Sequence, residues 1–423
     1  MAHHLCFISY VFPPLQAGGS VRSKTFAKYL ARHDWIPHIL TVQQPAHDSN
    51  KDHQLREEIG LSEAATLHRT FSLDPFRGSR GVTQQSRETQ TQRIMRWIIS
   101  FTLVPDRQIL WLPFAIMEGL RVIKRYQCEA VYSTFGPPSN HLVALALKWI
   151  TRKPWIADFR DPWTRNRNFI FPTRFHKWMH QKMERCVIHF ADKVIAVNEP
   201  ILEGFRRDYP EIHRNKFVVL PHCFDRELIE KCKCSSPKRD RFTLCYAGSF
   251  FKGRSPDPIL RSVERALREE PETRKHLKLR LISGLKISLD ENSLLRGRVE
   301  LQDFCSHEEA IRQMCESDVL LAIVEEELKG QILNVKLFDY MGVGKPILAL
   351  IPAESTSAEY LRPSGLATIV SPDDEEAIVG AIKKLYRNWE QNHAALPNEA
   401  YIWQFEASQK VGVLAGLLES LTQ

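Results

Sequence analysis

Four segments of the chain concentrate side chains able to do chemistry. "DFRDPW" (158–163) follows the apolar run "PWIA" (154–157) and sets Asp158, Arg160 and Asp161 within four positions. Two carboxylates crowded at the end of a strand are costly unless they pair or meet a ligand. They could orient a hydroxyl group, or pair with Arg160 and simply build the turn. "GQILNVKLFDYMGVGKPILAL" (330–350) reads as a polar loop entering a helix that carries Lys336 and Asp339. The amides of Ile332, Leu333 and Asn334 would point out of that helix N-terminus at an anion. Asp339 lies two turns on from Gln331, on about the same face, and could accept from sugar hydroxyls. A plain core helix accounts for Leu337, Phe338 and Met341 but not for those two polar residues.

The other two segments are glycine-bearing loops. "FPPLQAGGSVRS" (12–23) leaves an apolar run, sets Gly18 beside Gly19, and leads into a helix. Adjacent glycines there let backbone approach a ligand, and a helix N-terminus favours an anion. "AGSFFKGRSPDPIL" (247–260) repeats the arrangement with Lys252 and Arg254, a pairing suited to a diphosphate. Tight β–α turns and solvated basic residues are the plainer readings. Neither loop contains G-x-G-x-x-G, so no nicotinamide cofactor is indicated.

The elements that would carry these segments alternate along the chain. Apolar runs at 5–11, 37–42, 130–134, 154–159, 193–197 and 216–221 read as buried strands, with helical patterns such as 23–33 and 140–150 between them. A second set of strands falls at 242–248, 277–283, 319–324, 346–351 and 367–370, with helices at 258–269, 307–315, 334–342 and 374–389. Short, continuously apolar strands alternating with helices predict parallel, doubly wound sheets, and the pattern occurs twice. Ligands of such sheets bind at the strand C-terminal ends, where all four segments fall. Residues 45–95 read as an irregular insertion, 225–241 as a charged linker, and 400–421 as one final amphipathic helix.

Composition narrows the function classes. A length of 423 residues favours two domains, and 43% hydrophobic with 26% charged residues is ordinary for a globular protein. The net charge of +8 implies an anionic partner, but no zinc-finger, RNP or helix-turn-helix signature accompanies it, so nucleic acid is not expected. Nine cysteines without regular spacing predict reduced thiols; "HC" (222–223) and "CKC" (232–234) lack the paired spacing of a zinc site. No stretch reaches the ~20 apolar residues of a membrane span. The first strand does not resemble a signal peptide, so a cytoplasmic location is expected. "FIFPTRFHKWMHQKMERCVIHF" (169–190) mixes aromatic and basic residues and reads either as a half-buried helix or as a contact with an anionic membrane face.

In order along the chain, "FPPLQAGGSVR", "WIADFRDPW", "FADKVIAVNEPI", "VVLPHCFD", "YAGSFFKGRSP" and "KLFDYMGVGKPIL" resemble the family-four glycosyltransferases of the GT-B fold over nearly the whole length. The resemblance implies two Rossmann-like domains facing a central cleft. Residues 1–224 would be the acceptor-binding domain, 242–398 the nucleotide-sugar-binding domain, and 399–423 a helix crossing back to the first. It implies a donor held without metal or other cofactor, and transfer with retained configuration to a sugar or lipid-linked acceptor. Gly18 and Gly19 would lie beneath the donor diphosphate, with Arg22 in reach of an acceptor phosphate.

Departures from the family's pattern are specific. The usual Glu-x7-Glu pair falls on Gln331 and Asp339. The two diphosphate cations fall on Ser249 and Arg254, leaving Lys252 or Lys336 to replace the missing one. A histidine common after the strand falls on Arg160, so Asp158 and Asp161 are the polar candidates beside it. A branch bearing "DFRDPW" is associated with surface-polysaccharide synthesis. A nucleotide-sugar epimerase of the same fold and a non-catalytic binding subunit are the alternatives.

Overall fold

The computed structural model describes residues 2–15, 18–44, 59–74, 90–166, 169–233, 240–250, 255–285, 287, 293–324, 333–393 and 395–423. They form two compact units. The first contains the described residues up to His222 together with Ala407–Gln423, and the second is Cys223–Glu406.

The first unit is built on seven strands: β1 (His3–Ile8), β2 (Trp35–Val42), β3 (Thr66–Thr70), β4 (Ala130–Thr134), β5 (Trp155–Phe159), β6 (Lys193–Ala196) and β7 (Phe217–Val219). All pairings are parallel, in the order β3-β2-β1-β4-β5-β6-β7. The second has six: β8 (Phe242–Ala247), β9 (Leu277–Ile282), β10 (Val299–Gln302), β11 (Val319–Ile323), β12 (Ile347–Leu350) and β13 (Ala367–Val370). Their order, β10-β9-β8-β11-β12-β13, is again wholly parallel. Both are doubly wound α/β sheets. Each reverses its winding beside its first strand, between β1 and β4 and between β8 and β11, and ligands of this architecture bind at such switch points.

The helices that bear on function are α1 (Gly18–Leu30), α2 (Gln90–Thr102), α3 (Ser139–Thr151), α4 (Arg174–Phe190), α5 (Arg226–Cys232), α6 (His307–Glu316), α7 (Val335–Val343), α8 (Glu399–Trp403) and α9 (Ala407–Thr422). Side chains caps account for several starts: Thr173 accepts from the His176 amide at α4, and Ser306 from the Glu309 amide at α6. The central strands are buried on both faces, as their unbroken apolar runs require; all five residues of β4, β5 and β11 are buried.

Five features differ from the sequence reading. β3 lies inside the segment expected to be irregular, and β10 was not expected at all. The linker segment contains α5 and belongs to the second unit. The final helix is two, α8 in the second unit and α9 in the first, where His33 Nε2 donates to the Ser408 carbonyl at 3.0 Å. Gly18 and Gly19 are the first residues of α1 rather than loop residues ahead of it.

Candidate functional site

In the first unit, Asp158 is the fourth residue of β5 and fully buried. A carboxylate there must be paired. Arg22 of α1 does this in fork geometry, Nε to Oδ2 at 2.8 Å and Nη2 to Oδ1 at 3.0 Å. Tyr132 on β4 donates its hydroxyl to Oδ2 at 2.5 Å, and Thr134 adds a longer bond at 3.4 Å. The remaining Arg22 donors reach the Pro221 and Leu220 carbonyls at 2.8 and 3.0 Å, beyond the end of β7. The guanidinium carbon also lies 4.2 Å from the Phe26 ring centroid.

This corrects two expectations. Arg22 is only 2% exposed and ties α1 to β5 and to the chain after β7, instead of waiting at the surface for an acceptor phosphate. Asp158 is its counter-ion rather than an open polar group. The partners lie 136 residues apart in sequence, so the motif alone gave no sign of the pair.

Arg160 and Asp161 are placed differently. Both are half-buried just past β5. Arg160 Nε donates to the Phe135 carbonyl at 2.8 Å; Nη2 contacts that same oxygen and the Gly136 carbonyl, the latter at 3.2 Å. Two glycines make room for the group. A β-carbon at Gly19 would collide with the guanidinium, and one at Gly136, whose φ is +86°, would lie 2.7 Å from Nη2. Nη1 has no hydrogen-bond partner among the described residues. Asp161 likewise makes no hydrogen bond or ion pair among them. Burial raises the Asp161 carboxyl above its ordinary 3.8, with Arg160 pulling the other way. A cation fixed by carbonyls beside an uncommitted carboxyl of raised proton affinity can hold an anion and take a proton from a hydroxyl.

In the second unit, β8 ends at Ala247 and the chain leaves it through Gly248, whose φ is +145°. Lys336, in the first turn of α7, lies with Nζ 3.4 Å from the Ala247 carbonyl and 4.0 Å from the centroid of the Tyr246 ring. A β-carbon at Gly248 would be 3.0 Å from that ammonium, so glycine is needed there both for its backbone angle and for space. Tyr246 is held in turn by its hydroxyl, which donates to the Ser249 carbonyl at 3.0 Å, and by stacking on Phe250. Ser249 itself is exposed.

Leu333 and Asn334 lead into α7, and the buried Asn334 Nδ2 has no partner among the described residues. With the α7 N-terminus they put backbone donors near the Lys336 ammonium, a setting for an anion such as a phosphate. Asp339, one turn further and 4% exposed, faces His307, the first residue of α6, with Nε2 and Oδ2 3.0 Å apart. The structure thus brings Gly248, Ser249, Lys336 and the start of α7 to the C-terminal end of β8. Lys252, Arg254, Gln331 and Ile332 lie outside the described residues. Sequence reasoning missed Tyr132, Tyr246 and His307: the first two pass as apolar strand residues, and the third as a surface residue of an amphipathic helix.

Comparison with known proteins adds the family. The profile of Glycosyltransferase Family 4 matches residues 17–228, half of the chain. Among solved structures, Anabaena Alr3699/HepE in complex with UDP and glucose superposes with a TM-score of 0.64 at 13% identity, over 99% of this chain and 100% of that one. Sucrose-phosphate synthase from Thermosynechococcus elongatus gives 0.58 at 13% identity, over 99% and 96%. UDP-GlcNAc 2-epimerase from Neisseria meningitidis bound to UDP-GlcNAc gives 0.53 at 12%, over 99% and 100%. No curated protein sequence matches significantly. At these identities the structural likenesses speak for the two-sheet fold alone. The profile match goes further: the chain belongs to Glycosyltransferase Family 4.

Proposed function

We propose that the protein is a glycosyltransferase that moves a sugar from a nucleoside-diphosphate sugar to an acceptor hydroxyl. The observation that carries the reading is the second unit's site, with Lys336 over Tyr246, held against the glycine exit of β8 at the start of α7. The leaving group of such a transfer is a diphosphate on which negative charge develops, and a fixed ammonium with helix N-terminal donors stabilises it. Lys336 replaces one of the two family cations, Arg254 being the other, and Asp339 with Gln331 holds the sugar hydroxyls. No metal is needed in this scheme, and the anomeric configuration is retained. UDP is the first nucleotide to try, since HepE and the epimerase bind UDP or its sugars.

The first unit takes the acceptor. Arg160, rather than Arg22, offers donors to an anionic group on it, and Asp161 receives or orients the hydroxyl proton. A glycan or lipid-linked sugar of surface-polysaccharide synthesis is the acceptor class in this reading. Incubating the protein with UDP-glucose and a polar-lipid extract, then separating the products, tests it. UDP together with a glycosylated lipid is expected, and Asp161→Asn should slow transfer without weakening donor binding. An altered UDP-sugar formed without acceptor would make the protein an epimerase instead.

A further inference from the structure

The first unit carries a surface that the transfer reading leaves unused. Along α2, Ile94, Met95, Trp97, Ile98 and Phe101 are each 44–53% exposed. Their spacing, i, i+1, i+3, i+4 and i+7, is the apolar stripe of an amphipathic helix, here turned to solvent instead of to the core. The start of α4 continues it. Phe175 and Trp178 are 61% and 51% exposed and stack on each other with centroids 5.7 Å apart. Phe101 of α2 joins the two, its ring 4.9 Å from that of His176 and its carbonyl bonded to His176 Nε2 at 3.0 Å. Exposed apolar clusters of this extent mark interaction sites.

Charge says what would cover it. On α4 the exposed Arg174, Lys177 and Lys182 flank the aromatic pair, and the Lys182 ammonium lies 5.8 Å from the Trp178 ring centroid. The sole acid of α4, Glu184, is buried and takes hydrogen bonds from Thr164 and Tyr209. In sequence, α2 has Arg93 and Arg96 and no acidic residue. Large apolar side chains with aromatic rings and cations only is the make-up of a helix lying in the headgroup layer of an anionic bilayer. A second copy docked symmetrically would bring the same cations face to face, which argues against self-association. No helix among the described residues is long and apolar enough to cross a membrane, so contact here is peripheral.

We infer that α2 and the N-terminal half of α4 dock the protein on an anionic lipid surface, with Trp97, Phe101, Phe175 and Trp178 entering the headgroup region and Lys177 and Lys182 pairing with lipid phosphates. The inference does not depend on the transferase reading. Co-sedimentation of the full-length protein with vesicles tests it, using phosphatidylglycerol mixed with phosphatidylcholine against phosphatidylcholine alone. Binding to the anionic vesicles only is expected, weakening as salt is raised. Trp97→Ser/Trp178→Ser and Lys177→Gln/Lys182→Gln should each lower the partition coefficient tenfold or more. All these side chains are exposed, so circular dichroism and thermal midpoint should stay those of the parent. Absence of binding to anionic vesicles at low salt would overturn the inference. So would binding that both double variants retain, or a concentration-dependent dimer that Trp97→Ser/Trp178→Ser dissociates.

Discussion

A buried arginine–carboxylate pair is stable only while both partners are present. Arg22 and Asp158 are almost wholly enclosed, and Asp158 also takes the Tyr132 hydroxyl. Arg22→Met would leave a buried carboxylate without its cation, and should cost about 3–5 kcal/mol in urea unfolding. The double change Arg22→Met/Asp158→Leu should recover most of that loss, because neither charge then remains. If the single variant unfolds at the parent's midpoint, the pair is not the brace described. Gly19 poses the opposite case. Gly19→Ala presses its methyl into the Arg160 guanidinium, which is the far end of a flexible side chain, so stability should change by less than ~1 kcal/mol. Displacing that group should nevertheless lower transfer as far as Arg160→Met does. Equal turnover of Gly19→Ala and parent would remove Arg160 from the acceptor site. "DFRDPW" does not by itself tell which of its acids is buried: that is decided by Arg22 and Tyr132, which no local pattern ties to it.

At the scale of elements, the sequence was most legible where strands are buried on both faces. All eleven apolar runs read as strands are strands, with ends shifted by a few residues. The two that escaped, β3 and β10, are the edges on one side of their sheets. Their residues are mostly half-buried, as in "TLHRT" and "VELQ", so they carry polar side chains and show no continuous apolar run. The split between α8 and α9 was hidden for another reason: the apolar pattern resumes in step on both sides of Gln404–Glu406. α9 buries Ala407, Val411, Leu414, Ala415 and Leu418 in the first unit, a helical stripe. Burial of Val411, Leu414 and Leu418 at about 1.5–3 kcal/mol each implies that removing residues 407–423 costs the first unit roughly 5 kcal/mol or more. Chemical denaturation of the truncated protein checks this; an unchanged first-unit transition would show that α9 is dispensable to it.

At the scale of the whole molecule, pH sensitivity is concentrated in the first unit. Burial pushes His38 and His141 down to about 3 and His180 to about 4, from an ordinary 6.5. For each, the unfolded chain takes up a proton below 6.5 that the folded one refuses, so stability falls on acidification until the folded value is reached. Asp106 works the other way: burial raises it to about 6, which favours the folded state as pH drops from 6 towards 3.8. Burial lowers His68 as well, and raises Asp161 and Glu184 as it does Asp106. With four imidazoles opposing three carboxyls, the thermal midpoint of the first unit should fall between pH 6.5 and 4; a flat or rising midpoint would show that these imidazoles are not sequestered. Under the proposed donor assignment, ligand linkage belongs to the second unit: a nucleotide bound only by the folded chain raises its stability by about 2.7 kcal/mol at a hundredfold excess over Kd. The most direct test of the central claim is therefore calorimetric titration of UDP and UDP-glucose into the protein and into its Lys336→Met variant. Binding by the parent, with affinity lowered ten- to a hundredfold in the variant, is the expected result. No binding of either nucleotide, or equal affinity in both proteins, would contradict the assignment of the second unit's site to the donor diphosphate.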